Sequence, residues 1–427
     1  MLRRRRLGGQ GTMQRRDPVR NGTQVQLSRT FSQGQLVYTA PITIQNQNMH
    51  VEVDTGSSDL GKQGYEIYLF SDNDGQETGQ RFDIDYLVGS ASGPIILSNV
   101  SLADTTLPGQ AFAVVDEVTN QQLGSMQASG VVGLALESNS IIQDVLVGDG
   151  GNANNSETNP SRTGSVLAGL WQGVPTSSRF FSLGLQRLPS DGGNGNSTLT
   201  FGDYDRNYVP VGRESAIQFS SAVPDDDGIV RKWKMILNDF FVKVNGTQVQ
   251  IPLDTFGTAS AILDTGSPLN LASVDFLNAM YGAVNVGPAA DGSGGYYVDC
   301  SLPLEFTVSV GGSLVAIHPL DSSLKQDNSG SGSGGSSGCI GSFQALNRGS
   351  QSSTLPAQMI LGAPFLRSVY SVYSCDANSV NASNQDCSSP RVGIYPPLQR
   401  QYVLPDCSER FQQGTGPRSS TWRRLSR

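Results

Sequence analysis

Asp54-Thr55-Gly56-Ser57 and Asp264-Thr265-Gly266-Ser267 are one four-residue word written twice in a chain of 427 residues. A single copy would read as a turn, and such a word arises by chance in roughly one chain of this size in a hundred, so two copies point to one shared site. An Asp-Thr-Gly turn suits a reactive carboxylate. Glycine lets the backbone double back until its amide reaches the side chain, and the Ser57 hydroxyl can donate to the same group. Thr55 and Thr265 can lock the two loops together. If Asp54 and Asp264 meet, their like charges forbid double ionisation, so they share one proton and titrate as a unit over acidic pH. The ionised member can then deprotonate a water that attacks an amide carbonyl, while the protonated member stabilises the oxyanion and protons then pass to the leaving amine. Such chemistry requires no metal and no cofactor.

The elements that must deliver these loops are legible around them. Alternating text over Leu36–Ile44 and Val51-Glu52-Val53 predicts a hairpin that hands Asp54 to a loop at a strand end. Ala261-Ile262-Leu263 does the same for Asp264. Each copy is followed by two apolar residues and a glycine, Val131-Val132-Gly133 and Ile360-Leu361-Gly362, at separations of 79 and 98 residues. The chain is therefore an internal duplication of whole lobes. Further strands are expected at Phe180–Leu185, Thr198–Gly202, Trp233–Val244, Ala259–Leu263 and Leu304–Val310, with short helices at Val166–Gln172 and Ser273–Tyr281, the latter capped by Ser273. Gly148–Ser165 and Asp321–Gly338 read as loops.

Composition agrees with an all-β fold carrying a few short helices: 15% charged residues, 50 Gly and 21 Pro favour strands joined by turns. The expected organisation is a basic disordered arm over 1–29, a propeptide remnant or gene-model artefact. An N-terminal β lobe over 30–214, a C-terminal β lobe over 215–407 and a disordered basic tail over 408–427 complete it. Net charge of −8 argues against a nucleic-acid partner, and no run is long enough to span a bilayer. All five cysteines, Cys300, Cys339, Cys375, Cys387 and Cys407, fall in the second lobe without zinc or redox spacing, so disulfides are expected. Whether Cys407 is free or pairs with Cys375 or Cys387 stays open. Six N-x-S/T sequons add to the expectation of a secreted glycoprotein, although the first residues lack the apolar core of a signal peptide. The two histidines, His50 and His318, have no partner at metal spacing and build neither a zinc hydrolase nor a serine triad.

With these motifs in order, the chain resembles the pepsin-like aspartic peptidases from about Tyr38 to Tyr395, and in texture is similar to their secreted fungal members. Phe82-Asp83-Ile84-Asp85-Tyr86 followed by Gly89-Ser90-Ala91-Ser92-Gly93 looks like the family's flap hairpin, with Tyr86 as the flap tyrosine. Gly130–Ala135 and Met359–Leu366 look like the two segments that pass behind the catalytic loops. The resemblance implies a bilobal pepsin-like fold with Asp54 and Asp264 as the catalytic pair, supported by Thr55 and Thr265. It implies peptide contacts from Tyr86, Gly56, Ser57, Gly89, Ser90, Gly266 and Ser267, and a Cys300–Cys339 bridge. It further implies a monomer outside the cell or in a vacuole, acting on polypeptides at internal bonds at acidic pH.

The chain departs from the family beside the first motif. Where the family continues Asp-Leu-Trp, this chain reads Asp59-Leu60-Gly61-Lys62-Gln63, the segment Gly61–Arg81 is short and polar, and Leu87 stands where glycine follows the tyrosine. That departure sets up the alternative expectation of a weak or inactive relative that binds peptides or proteins in the same cleft. In that case Tyr86 lacks its anchor and binding outlasts catalysis.

Overall fold

A computed structural model describes residues 22–32, 35–63, 75–85, 89–119, 128–147, 164–172, 174–188, 195–253, 259–288, 295–300, 303–325, 338–346, 359–375, 387 and 389–395. In the first half the strands are β1 (Thr23–Ser32), β2 (Gln35–Ile44), β3 (Gln47–Asp54), β4 (Leu60–Gln63), β5 (Gln76–Asp85), β6 (Ser90–Leu102), β7 (Thr105–Val115), β8 (Glu117–Thr119), β9 (Gly130–Gly133), β10 (Phe180–Gly184) and β11 (Ser197–Phe201). The second half begins with β12 (Gln218–Ser221), β13 (Lys234–Val244), β14 (Thr247–Ile251), β15 (Ala259–Leu263), β16 (Asn270–Ala272), β17 (Tyr297–Asp299) and β18 (Phe306–Val310). It closes with β19 (Ser313–Ile317), β20 (Ser323–Lys325), β21 (Gly338–Gly341), β22 (Phe343–Ala345), β23 (Met359–Leu361), β24 (Tyr370–Cys375) and β25 (Pro390–Tyr395). Among the described residues four short α-helices punctuate them: α1 (Ile141–Val147), α2 (Val166–Trp171), α3 (Val274–Gly282) and α4 (Ala363–Leu366).

The duplication is visible in strand pairing. In the first half β3 runs parallel to β9, β9 antiparallel to β4, and β4 parallel to β7. In the second half β15 runs parallel to β23, β23 antiparallel to β16, and β16 parallel to β22. Parallel neighbours need a long crossover. The separations of 79 and 98 residues supply one in each half. A third layer ties the halves together, because β12, β25 and β24 continue through β10 and β11 to β1 in one sheet.

The strands expected from the text lie where the alternation put them, and Ser273 caps α3 by accepting from the Phe276 amide at 3.3 Å. Two expectations are corrected. Residues 23–29 are not part of a disordered arm, since β1 pairs with both β11 and β2. Val25 and Leu27 alternate inward there, and their burial outweighs the polar composition around them. Asp321–Lys325 are not loop: Asp321 closes a 3-10 turn, buried between Arg187 and Arg367, and β20 follows.

One apolar core runs through both halves. At its centre Trp233 is fully buried, edge-on to Phe181 at 5.9 Å and to Tyr373 at 5.3 Å, and its indole Nε1 donates to the Leu134 carbonyl at 2.8 Å. A buried indole N–H needs such an acceptor. Here the acceptor belongs to the opposite half. Cys300 bridges Cys339, with Cα atoms 5.1 Å apart, and Cys375 bridges Cys387 at 5.5 Å. Cys407 lies outside the described residues.

Candidate active site

Asp54 ends β3 and Asp264 follows β15, and the two turns face each other across the halves. Their threonines interlock. Thr55 Oγ1 donates to the Leu263 carbonyl at 2.8 Å and accepts from the Thr265 amide at 3.0 Å. Thr265 Oγ1 returns both bonds, to the Val53 carbonyl at 2.6 Å and from the Thr55 amide at 3.0 Å. Both side chains are buried, so every bond in this square is shielded from competing water. Only a hydroxyl that donates and accepts at once can occupy either position, which excludes valine despite its matching shape.

The glycines bring the carboxylates together. A Cβ on Gly56 would sit 2.6 Å from Cγ of Asp264, and one on Gly266 would sit 2.5 Å from Oδ1 of Asp54. Each carboxylate thus lies over the other motif's glycine, with room only for hydrogen. The Gly56 amide donates to Asp54 Oδ1 at 2.7 Å and the Gly266 amide to Asp264 Oδ1 at 2.9 Å. Behind each loop runs its glycine-bearing strand. The Leu134 amide holds the Asp54 carbonyl at 2.7 Å and the Ala135 amide holds the Ser57 carbonyl at 2.8 Å. In the second half the Ala363 amide holds the Ser267 carbonyl at 2.9 Å, and the Asp264 amide bonds back to the Leu361 carbonyl at 3.1 Å.

The pair sits in an acid-rich, poorly hydrated place. Asp264 keeps a partly exposed edge, yet protein crowds its carboxyl: lost hydration, then the Asp54 charge and a hydrogen bond with Asp54, hold its pKa well above the carboxylate range. The Lys232 ammonium and the Gly266 amide pull the other way. Glu52, two residues before Asp54 on β3, is also buried. Loss of hydration, and next the charges of Asp54 and Asp264, raise its pKa well above 4.5. Asp59 receives the Ser140 hydroxyl at 2.5 Å and the Ile141 and Ile142 amides at 2.9 and 3.3 Å, pinning the end of the first motif to the start of α1. Burial nevertheless lifts its pKa to about 6, against those three bonds.

The structure brings Asp54, Thr55, Gly56, Ser57, Asp264, Thr265, Gly266 and Ser267 into one site. The two serines differ. Ser57 Oγ donates to Asp54 Oδ2 at 2.5 Å, whereas Ser267 Oγ donates to the Leu269 carbonyl at 2.7 Å and not to Asp264. Pro268, with its fixed φ, stands in the turn that brings that carbonyl within reach. Tyr86 lies outside the described residues; in sequence it falls between Asp85 and Ser90, which pair in the β5–β6 ladder. Gly89 has φ of 82°, open to glycine without strain, and Ser90 bonds Thr119 of β8 through both its amide and its hydroxyl, at 3.1 and 2.7 Å. Sequence reading missed Glu52, Asp59, Trp233 and Lys232. None had a local signal: alternation over Val51-Glu52-Val53 assigns Glu52 to the solvent face, and only the structure shows both faces of that strand end buried.

Comparison with known proteins agrees with this geometry. A family profile described as "Eukaryotic aspartyl protease" matches residues 37–385. Aspartic protease pepA of Arthroderma otae is 26% identical over 84% of this chain and 79% of its own length, and aspergillopepsin-1 of Aspergillus flavus is 26% identical over 84% and 76%. Among solved structures, the aspartic proteinase from Irpex lacteus superposes with a TM-score of 0.60 over 88% of this chain and 98% of its own, a likeness of fold at 16% identity. The interlocked Asp-Thr-Gly turns on a duplicated β framework, matched by a profile over most of the chain, make this protein a member of the eukaryotic aspartyl protease family, with its bilobal pepsin-like fold.

Proposed function

We propose that the protein is an aspartic endopeptidase that hydrolyses internal bonds of extended polypeptides at acidic pH, with Asp54 and Asp264 as its catalytic pair. One observation carries the reading: each carboxylate lies over the other loop's glycine, held by a four-bond threonine square. Two acids at that separation share a proton, so one is poised as base and the other as acid. The base takes a proton from a water between them as it attacks the peptide carbonyl. The acid stabilises the oxyanion, and the protons then pass to the leaving amine. Fixed geometry contributes beside acidity, because loops tied by buried bonds need little reorganisation during reaction. The two disulfides favour an oxidising compartment, extracellular or vacuolar. The lobe boundary is proposed between β11 and β12, near residues 211–220.

The test is hydrolysis of a peptide library at pH 3–6, with and without a statine-type inhibitor, for the natural chain, Asp54→Asn and Asp264→Asn. Inhibitable cleavage is expected from the natural chain, and a loss of about a thousandfold or more from each variant, with the fold retained. Near-normal turnover by either variant would sink the assignment. Tight inhibitor binding without turnover would instead make the chain a peptide-binding relative.

A further inference from the structure

The segment that leads into β13 crosses the junction between the halves under three fixed bonds. The Val230 carbonyl accepts from Ser138 Oγ at 2.6 Å, and Trp233 Nε1 donates to the Leu134 carbonyl at 2.8 Å, so two of its points are fastened to the first half. Its third fastening is in the second half, where the Leu263 amide donates to the Trp233 carbonyl at 3.0 Å. Leu263 precedes Asp264, and Lys232 precedes Trp233 on a chain running the opposite way in the β13–β15 ladder, where Lys234 faces Ile262. The residues one step beyond that bond, Lys232 and Asp264, are therefore neighbours. A turn closed by the Lys234 amide on the Lys232 carbonyl at 2.8 Å holds Lys232 there.

Its charge is placed unlike those of its neighbours. Arg231 forks onto Asp227 and reaches Asp225, and Lys234 is buried against Asp225 at 2.7 Å. Lys232, between them in sequence, is half-buried and makes no ion pair or side-chain hydrogen bond among the described residues. Two of three cations are thus neutralised locally by the Asp225–Asp227 loop. The third stands where the β13–β15 register continues to Asp264, and its field reaches that one carboxyl. Holding a cation half out of water without a carboxylate of its own is unfavourable, and a carboxylate arriving on a ligand would relieve that.

We propose that Lys232 is a specificity-determining residue: it receives an aspartate or glutamate side chain of the bound polypeptide, in a subsite beside Asp264. The proposal rests on the cleft assignment above and adds a substrate class to it. A half-exposed ammonium–carboxylate pair supports a modest preference, about three- to tenfold, for the acidic residue over its amide. Because an ordinary glutamate side chain titrates near pH 4.3, the preference has a pH signature. It should be present at pH 5.5 and absent at pH 3, where the ligand's carboxyl is protonated.

The experiment uses statine-containing peptides in which glutamate and glutamine are exchanged one position at a time on both sides of the statine, with affinity measured by calorimetry at pH 5.5 and 3. The matching cleavable peptides are assayed for kcat/KM. One position should favour glutamate at pH 5.5 only. That ratio should fall to about one in Lys232→Met and persist in Lys232→Arg, and an effect confined to folding or to the dyad would leave the ratio within each variant unchanged. No glutamate-preferring position, or a preference surviving in Lys232→Met, overturns the proposal. Binding with the expected ratio but no cleavage would leave this inference standing and remove the peptidase reading, and cleavage without the ratio would do the reverse.

Discussion

Ser57 and Ser267 hold the same place in two copies of one word, yet only Ser57 bonds a dyad carboxylate, at 2.5 Å; Ser267 bonds the Leu269 carbonyl at 2.7 Å. A hydroxyl on an ionisable carboxylate makes a charge-assisted bond, stronger than one to a backbone carbonyl. Ser57→Ala should therefore lower kcat/KM by about tenfold or more, while Ser267→Ala should cost about 1 kcal/mol of stability and little turnover. Kinetics of both variants on one peptide, with thermal melts alongside, decide it. Equal kinetic losses would mean that Ser267 turns toward Asp264 during reaction. The sequence could not announce this asymmetry, since the repeated word is identical in both halves and the difference comes from Pro268 and the turn beyond. Lys232 was illegible for a related reason: no local pattern marks it, and the Trp233–Leu263 bond brings it to Asp264 from a distant part of the chain. Asp54 and Asp264 were legible because residue identity and repetition carry the signal by themselves.

At the scale of elements, the strand over Ala259–Leu263 was read to the residue because apolar text ending in a turn motif has few other solutions. Helix α1 was not foreseen. Its text, Ile141-Ile142-Gln143-Asp144-Val145-Leu146-Val147, is rich in β-branched residues and has the propensity of a strand. What makes it helical is capping, local and distant: Ser140, just before the helix, takes the Gln143 amide on its Oγ at 3.0 Å, and Asp59 takes the Ile141 and Ile142 amides from afar. Strand β4 is the other departure. Gly61 replaces the family's tryptophan, and a Cβ there would meet only Val115 Cγ2, at 3.5 Å, an ordinary contact. The backbone therefore accepts a side chain at this point. Gly61→Trp should fold with a melting temperature within a few degrees of the natural chain. If a tryptophan restrains the hairpin that carries Tyr86, kcat should rise by severalfold through better exclusion of water. A folded variant with unchanged kcat would show that β4 does not act on the hairpin, and a variant that fails to fold would show the space beside Val115 to be too small.

The whole molecule carries two opposing sets of buried carboxylates, and their balance places its stability on the pH scale. Asp321 is buried between Arg187 and Arg367, whose Nε lies 2.6 Å from it, in a cluster that joins β10's exit to the end of α4. Burial pushes its pKa up, but the two guanidiniums outweigh that and hold it below 3.8. Its contribution is present above 3.8 and is lost as pH falls through the lower folded value. Asp59, Glu52 and Asp264 behave in the opposite sense, each raised first by loss of hydration. Between the ordinary and raised values the folded chain binds more protons than the unfolded one, so stability is full below about pH 4 and declines as pH rises. For Asp59, raised from 3.8 to about 6, the loss by neutral pH is on the order of 3 kcal/mol. The melting temperature should thus peak near pH 4, fall gently toward pH 2 and fall more steeply toward pH 7. Asp59→Asn should flatten the limb between pH 4 and 7, because the amide oxygen keeps the Ser140 and Ile142 bonds without a charge to bury, although its NH2 forgoes the Ile141 bond and lowers the whole curve. Asp321→Asn should lower the melting temperature at every pH above 4 by leaving two guanidiniums without their carboxylate, a loss of about 3–5 kcal/mol. Thermal unfolding by calorimetry across pH 2–8 for the three chains checks both limbs. A natural chain whose stability rises from pH 4 to pH 7 would mean that Asp59, Glu52 and Asp264 are far better hydrated than their surroundings imply, and the proton-sharing environment of the dyad would fall with them.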